Sequence, residues 1–247
     1  MLIIVGVLVV ALMGGWWFYS SSKNTNASKT NTASNTAANK PKASTMPSGV
    51  SPGAQPPNQA GSPAATVRIE EFADFQCGSC AQVNPIMNEI KAAYGSRIQF
   101  IFRNYPLPIH PKAYEAAVAA EAAGLQNRFW DMQHQLFSNQ QAWANSPSHK
   151  ELWKGYAQKI GLDIDKWEND MLGIAAKNRV DEDLKRAKGA GVNSTPTVYI
   201  NDTMVPYTEL NDSQKLKAII DAELAKASQQ QGNPGGAAAP AAANTAK

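Results

Sequence analysis

Hydrophobic and polar residues divide the chain into four stretches. Residues 2–19, LIIVGVLVVALMGGWWFY, carry no charge. Residues 20–65 are mostly Ser, Asn, Thr, Ala, Pro, Gly and Lys, and residues 228–247 repeat that bias. Neither polar stretch can bury enough apolar surface to offset the entropy of ordering it, so we predict a disordered linker and a disordered tail. Residues 66–227 are long enough to bury a core and form the predicted domain.

The predicted domain alternates between strand and helix patterns. Alternating residues at 66–72 predict a strand that leads into a helix over 77–94. Further strands are predicted at 97–105 and as a hairpin around residues 201–202. This order predicts an α/β fold with an inserted helical subdomain at about 110–190. The other predicted helices lie at 111–124, 127–139, 148–160, 164–173, 175–189 and 211–227.

The uncharged N-terminal run has three interpretations. A transmembrane anchor at 1–19 is favoured by the length of the run and by Trp16, Trp17 and Tyr19, which lie where an interfacial aromatic belt would be. A cleaved signal peptide is the alternative, although no A-x-A-like site follows the run. A buried core helix is disfavoured because the run has no amphipathic pattern. We therefore expect a single transmembrane helix, or an uncleaved signal, ahead of the domain.

Charge gives two further expectations. Lys23 and Lys29 follow the apolar run and no basic residue precedes it, so a literal positive-inside count would place the domain in the cytoplasm. The chemistry of the two cysteines instead favours a domain outside the cytoplasm. All 20 acidic residues and 18 of the 23 basic ones lie in 66–227, which gives the predicted domain a net charge of about −2. A nucleic-acid-binding role is therefore not expected.

The two cysteines carry the candidate chemistry. Cys77 and Cys80 form a C-G-S-C motif between a predicted strand and a predicted helix. The amide groups and dipole of a helix N-terminus favour a thiolate, so the pKa of Cys77 should fall below that of a free thiol, and Cys80 would resolve a mixed disulfide. A structural disulfide and half of a zinc site are the alternatives. Neither a second C-x-x-C nor ligand-like histidine spacing accompanies the motif.

Four motifs in order resemble the DsbA-like branch of the thioredoxin superfamily. They cover nearly all of the predicted domain. The resemblance implies a thioredoxin-like fold interrupted by helices and an extracytoplasmic thiol–disulfide oxidoreductase. The motifs are EFADFQCGSC at 71–80, FRNYPLPIHPKA at 102–113, EAAG with FWDMQHQLF within 121–137, and GVNSTPTVYIN at 191–201.

The resemblance also assigns roles beyond the cysteines. It implies that Pro196 is a cis-proline facing the active site and that the backbone of Thr195 pairs with a substrate strand. It places a partly buried carboxylate at Glu71, where it could exchange protons with Cys80. The alternatives are a strand-start proline and a solvent-facing glutamate, and Asp74 is a lesser candidate for the carboxylate role.

Other residues of these motifs have plainer expectations. Phe129, Trp130 and Met132 could line a substrate groove, but apolar residues at helical spacing are more often core. His110 is expected to cap or pack at the start of its helix. Gly78 and Ser79 replace the Pro and His usual in strongly oxidising members, so we expect a reduction potential between that of thioredoxin and those of the strongest oxidases.

Three functions follow from these features. The first is a disulfide donor to exported cysteine-containing proteins, reoxidised by a quinone-linked membrane partner and held at the membrane by residues 2–19. The second is a tethered thiol reductase or isomerase, and the third is a non-catalytic binding module. We expect a monomer with its redox-active domain outside the cytoplasm, and we expect no cofactor and no bound metal.

Overall fold

A five-stranded sheet lies at the centre of the described part of the chain, residues 44–231 of this computed structural model. The strand order is β1-β3-β2-β4-β5. The central strands β2 and β3 are parallel, and the other neighbouring pairs are antiparallel. The strands are β1 Asn58–Gly61, β2 Val67–Ala73, β3 Ile98–Asn104, β4 Thr197–Ile200 and β5 Thr203–Met204.

Helices connect and cover these strands. Helix α1 follows β2, a short 3-10 helix at Gly95–Arg97 leads into β3, and α2 to α7 form a helical insertion between β3 and β4. Within the insertion, α2 contacts α3, α6 and α7. The helices are α1 Gly78–Tyr94, α2 Ala113–Gly124, α3 Phe129–Ser138, α4 Gln140–Ala144, α5 His149–Lys159, α6 Ile164–Leu172, α7 Ile174–Gly189, α8 Tyr207–Leu210 and α9 Ser213–Gln231.

The two faces of the sheet pack against different helices. On one face, Val67 and Ile69 of β2 join the core cluster that contains apolar residues of α1 and α9. On the other face, Phe72 packs with Tyr199 and with Ala187 of α7. Because successive strand residues point to opposite faces, neighbouring positions of β2 enter different environments.

The structure confirms the predicted α/β fold with its helical insertion. Within the predicted domain, each predicted strand and each predicted helix is present, with ends that differ by up to about four residues. Four short elements were not predicted: strand β1, the 3-10 helix and helices α4 and α8. Each is five residues or shorter, too short to show a periodic pattern.

The predicted disorder of 20–65 is wrong for residues 44–65. Strand β1 pairs with β3, and Thr45 forms a bridge with Thr203. Ala54 is buried, and its backbone N–H donates to the Asp183 carboxylate at 2.9 Å. Composition did not predict this order because the segment is held mainly by hydrogen bonds from its backbone rather than by apolar side chains of its own.

The folded domain therefore extends beyond both of its predicted boundaries, residues 66 and 227. Residues 44–65 belong to it, and α9 continues to Gln231 rather than ending at 227. The predicted anchor at 1–19, the first part of the linker and the rest of the tail lie outside the described residues. Among the residues that are described, no helix is long and apolar enough to cross a membrane.

Candidate active site

Cys77 and Cys80 lie where β2 turns into α1. Cys77 is the N-cap residue of α1, with extended backbone angles, and Cys80 is in the first helical turn. Both are free thiols in this structure. Cys80 is fully buried, whereas Cys77 remains 7% exposed. The pair therefore has one sulfur within reach of a partner thiol and one behind it.

Thr195 and Pro196 face the exposed cysteine. The bond between them is cis, as the resemblance implied. The Cys77 thiol donates to the Thr195 carbonyl, with sulfur and oxygen 3.5 Å apart. The buried Thr195 hydroxyl has no other partner among the described residues. It is therefore available to donate a hydrogen bond when Cys77 is a thiolate.

The surroundings separate the pKa values of the two cysteines. Hydrogen bonding from the Cys80 thiol lowers the pKa of Cys77 to about 5, with further hydrogen bonds from Thr195 and from the helix-terminal amides of Ser79 and Cys80 outweighing the effect of burial. Burial raises the pKa of Cys80 well above its usual value, and the nearby Cys77 and Glu71 add to this effect. The exposed sulfur is thus the stable thiolate, as predicted from its helix position.

Glu71 is a buried carboxyl group on the α1 side of the sheet. It is 1% exposed, and its Oε2 has no hydrogen-bond partner among the described residues. Burial raises the pKa of Glu71 to about 7, and the positive charge of Lys91 offsets part of that effect. Lys91 itself lies over the Trp130 ring, 4.1 Å from the ring centroid. The solvent-facing alternative for Glu71 is therefore wrong.

Asp74 is also buried, but its carboxylate is fully engaged. Oδ1 accepts a hydrogen bond from the Gln76 amide at 2.7 Å. Oδ2 accepts from the Leu107 amide at 2.8 Å and lies 2.7 Å from Nδ1 of His110. These contacts make Asp74 an anchor of the active-site turn and leave Glu71 as the unpartnered carboxyl group. His110 was expected to cap or pack at the start of its helix, and its side chain in addition contacts Asp74.

Residues of the helical insertion form hydrogen bonds with the same turn. Buried Gln140, the first residue of α4, donates to the carbonyls of Phe75 and Cys77 at 2.8 and 2.9 Å. The Gln76 side chain donates to the Ala144 carbonyl at 3.3 Å and accepts from the Lys112 amide at 2.8 Å. No sequence pattern points to Gln140, because only tertiary packing brings α4 to the cysteines.

Phe129, Trp130 and Met132 pack in the core rather than line a groove. Phe129 and Met132 are buried, and half-buried Trp130 packs against Phe100 and Phe102. A shallow pocket of about 290 Å³ lies elsewhere, beside α1 and α4, and no metal-binding cluster of His, Cys, Asp or Glu occurs among residues 44–231. The pocket is lined by Ala81, Phe137, Ser138, Asn139, Gln140, Gln141 and Ala142.

A family model described as Thioredoxin matches residues 55–222, which include both cysteines and the cis-proline. The chain belongs to the thioredoxin family. Its dithiol and its family together make the matched region a thiol–disulfide oxidoreductase domain. The match begins at residue 55, three residues before β1, rather than at residue 66. This agrees with the earlier start of the folded region.

Solved structures show that this thioredoxin-family chain has a DsbA-like fold. Alpha-DsbA1 from Wolbachia pipientis matches with a TM-score of 0.63 at 19% identity, covering 72% of this chain and 95% of that one. BdbD from Bacillus subtilis matches with a TM-score of 0.60 at 22% identity, covering 74% of this chain and 97% of that one.

Curated relatives match this chain only in part. The Na(+)/H(+) antiporter NhaA 1 of Mycolicibacterium gilvum is 35% identical over 144 residues, which is 57% of this chain and 22% of the antiporter. NhaA of Herminiimonas arsenicoxydans is 30% identical over 158 residues, covering 64% and 24%. The chain thus spans about a quarter or less of the length of these relatives.

Proposed function

We propose that this chain is an extracytoplasmic disulfide donor that oxidises exported cysteine-containing proteins. The observation that carries the proposal is the stabilised thiolate of Cys77, whose pKa is lowered to about 5. A stabilised thiolate favours the reduced form of the pair, and therefore makes the disulfide form a stronger oxidant. Proteins that keep such a disulfide available work in oxidising compartments.

The proposed reaction begins with the Cys77–Cys80 disulfide. A substrate thiolate attacks Sγ of Cys77, which forms a mixed disulfide and releases Cys80 as a thiolate. A second substrate thiolate then attacks the first substrate sulfur, and Cys77 leaves as a thiolate. The substrate loses two electrons and gains a disulfide, and the enzyme pair is reduced. The low pKa of Cys77 makes it a good leaving group in this second step.

Glu71 is proposed as the proton donor to Cys80 in the first step. Cys80 has a pKa raised well above its usual value, so its thiolate must take up a proton when it leaves. Glu71, with a pKa raised to about 7, still carries a proton in a large fraction of molecules at neutral pH. Its unpartnered Oε2 makes it the one buried carboxyl group of the site without another role.

The same proposal includes the location of the chain. The uncharged run at residues 2–19 supports attachment to a membrane. A membrane partner linked to quinone would reoxidise the dithiol, and the chain would act as a monomer. The antiporter activity named for the curated relatives is not part of the proposal, because about three quarters or more of each relative lies outside the match.

The reduction potential of the Cys77–Cys80 pair in the full-length chain tests the proposal. Equilibration against glutathione buffers should give a value near or above about −180 mV, in the range of disulfide isomerases and oxidases. The oxidised chain should then form a disulfide in a reduced peptide that has two cysteines, and Cys77→Ser should abolish this reaction. A potential near about −270 mV would contradict disulfide donation and favour the reductase interpretation.

A further inference from the structure

A histidine from the loop after β3 is fixed to the active-site turn through Asp74. Nδ1 of His110 lies 2.7 Å from Oδ2 of Asp74, which also accepts the Leu107 amide. An ionised carboxylate can only accept hydrogen bonds, so Nδ1 is the nitrogen that carries the proton. Nε2 is then the basic nitrogen of the neutral ring.

The same aspartate contacts both cysteines. Its amide lies 3.5 Å from Sγ of Cys80, and its carbonyl accepts the amide of Cys77 at 3.1 Å. Asp74 therefore places the imidazole of His110 at a fixed position relative to the sulfur atoms. A histidine oriented in this way by a residue of the active-site turn can serve as a general base for a group that binds there.

The other side of the ring is open. The His110 side chain is 23% exposed, and no group of the described residues hydrogen-bonds its Nε2. The preceding residue, Ile109, is 78% exposed and offers an apolar contact beside the imidazole. A polypeptide that presents a cysteine to Cys77 could therefore contact both side chains of this loop.

We propose that His110 is the general base that deprotonates the incoming substrate thiol. This inference rests on the proposed function in one respect, because both require thiol–disulfide exchange at Cys77. Neutral Nε2 takes the proton from a substrate S–H group. The resulting thiolate attacks Sγ of Cys77, a sulfur–sulfur bond forms between substrate and Cys77, and the electron pair of the broken disulfide goes to Cys80.

The site needs such a base because the C-G-S-C motif contains none. Free cysteine has a pKa of about 8.5, so most substrate thiols are protonated at neutral pH and do not attack. Lys112, on the same loop, points its ammonium at the carbonyls of Ala144 and Ser146, 2.7 and 2.9 Å away. Asp74 is the charged group that contacts His110 directly. The other charged or titratable groups of the active-site turn and its surroundings are Cys77, Cys80, Glu71 and Lys112.

The test is the reduction of the oxidised, full-length chain by an excess of a peptide with one cysteine, followed by tryptophan fluorescence as a function of pH. His110→Asn keeps a donor for Asp74 but removes the basic Nε2. His134→Asn is the matched control, because His134 is exposed on α3 and its one side-chain hydrogen bond within residues 44–231 is to Ser138. We expect His110→Asn to be slower by about tenfold or more near neutral pH. The difference should shrink toward none above about pH 8.5, where the peptide thiol ionises unaided.

Three results would contradict the inference. They are an unchanged rate in His110→Asn, a loss of rate that is the same at every pH, and a loss that is matched by His134→Asn. A shifted reduction potential or a shifted Cys77 titration in His110→Asn would also contradict it, because His110 would then act on the protein pair rather than on the substrate thiol.

This design separates the inference from the proposed function. Excess thiol reduces the pair whatever its potential, so the comparison of His110→Asn with the unaltered chain can be made for an oxidase or a reductase. A poor oxidant with a pH-dependent His110 effect would contradict only the proposed function. A strong oxidant without that effect would contradict only the role of His110.

Discussion

Glu70 and Glu71 are adjacent carboxyl groups of β2 with opposite electrostatic surroundings. Burial would raise the pKa of Glu70, but hydrogen bonds and charge from Arg186 and Arg103 hold it below its usual value. Glu71 points to the other face of the sheet, where burial raises its pKa to about 7 and the positive charge of Lys91 offsets only part of that rise. Only one of the two can therefore hold a proton at neutral pH.

Glu71→Gln should change how stability depends on pH. Because the folded-state pKa is raised from 4.5 to about 7, the native protein keeps a proton over that window that the unfolded chain has lost. The free energy of unfolding therefore falls as pH rises through the window, by about 3 kcal/mol in total. We expect Glu71→Gln to remove this slope and to be more stable above pH 7 by about 1–3 kcal/mol, as measured by urea unfolding.

The measurement must use the oxidised form. In the reduced form the lowered pKa of Cys77 adds stability as pH rises above about 5, which opposes the Glu71 effect. Lys91→Met is a useful companion variant, because loss of that positive charge should raise the pKa of Glu71 further and shift the window upward. A stability that falls equally with pH in the unaltered chain and in Glu71→Gln would show that another group titrates there.

The sequence predicted the chemistry of these residues better than their surroundings. Cys77 and Cys80 are three residues apart, so local spacing and a helix start sufficed to assign them. The role of Glu71 rested on resemblance, because strand alternation shows only that Glu70 and Glu71 face opposite ways. The tertiary structure decides which face α1 covers, and it also buries both faces.

At the level of elements, the short helix α4 is the link between the insertion and the cysteines. Its Gln140 donates to two carbonyls of the active-site turn, and its Ala144 carbonyl accepts from Gln76 and from Lys112 Nζ. Backbone carbonyls in a buried turn need such donors, because an unpaired one has a desolvation cost. The insertion thus supports the N-terminus of α1 as well as covering it.

Gln140→Leu should loosen this support. The Phe75 carbonyl would lose its donor and the Cys77 carbonyl would keep only the Ala81 amide, which should lower the free energy of unfolding by about 1–3 kcal/mol. We also expect the pKa of Cys77 to rise from about 5, because the helix-terminal amides that stabilise its thiolate would be less firmly placed. Titration of the thiolate by its ultraviolet absorbance measures that change.

Gln141→Leu is the matched control for this variant. Gln141 is the next residue of α4 and is exposed, so its substitution should leave both the stability and the titration of Cys77 unchanged. Equal behaviour of the two variants would mean that α4 does not hold the turn. The helices around α4 were predictable because each spans several turns, whereas α4 has five residues and its effect comes from one side chain.

At the scale of the whole molecule, a buried network of ion pairs and hydrogen bonds joins residues 44–65, here called the N-terminal segment, to the sheet and to α7. Arg103 of β3 contacts Glu70 and Asp183 and donates to the carbonyls of Pro52 and Ala54. Arg186 of α7 pairs with Glu70 and, through Nη1, donates to the carbonyl of Ser51 at 2.7 Å. These carbonyls complete the hydrogen bonding of two guanidinium groups that β2, β3 and α7 leave partly unsatisfied.

This network explains why composition predicted disorder where the structure has order. Residues 44–65 contain few apolar side chains, and the prediction assumed that order requires burying such side chains. The acceptors are backbone oxygens, which every sequence has, and the donors come from residues 103 and 186, far away along the chain. No local pattern can reveal such a partnership.

A chain that begins at residue 66 should accordingly be less stable than one that begins at residue 44. The shorter chain lacks β1 and the carbonyls of residues 51, 52 and 54, so the buried guanidinium groups lose charge-assisted hydrogen bonds. With each of these three bonds contributing about 1.5–3 kcal/mol, the free energy of unfolding in urea should fall by about 4.5–9 kcal/mol.

The source of that loss can be isolated with Arg186→Met in both chains. In the longer chain the substitution removes the bonds to Glu70 and to the Ser51 carbonyl. In the shorter chain the second of these is already gone, so the substitution should cost less there, and the difference measures the coupling between Arg186 and the N-terminal segment. Equal costs in the two chains, or equal stability of the chains themselves, would mean that residues 44–65 lie on the domain without supporting it. A positive coupling would make this polar segment part of the folded domain in energy as well as in position.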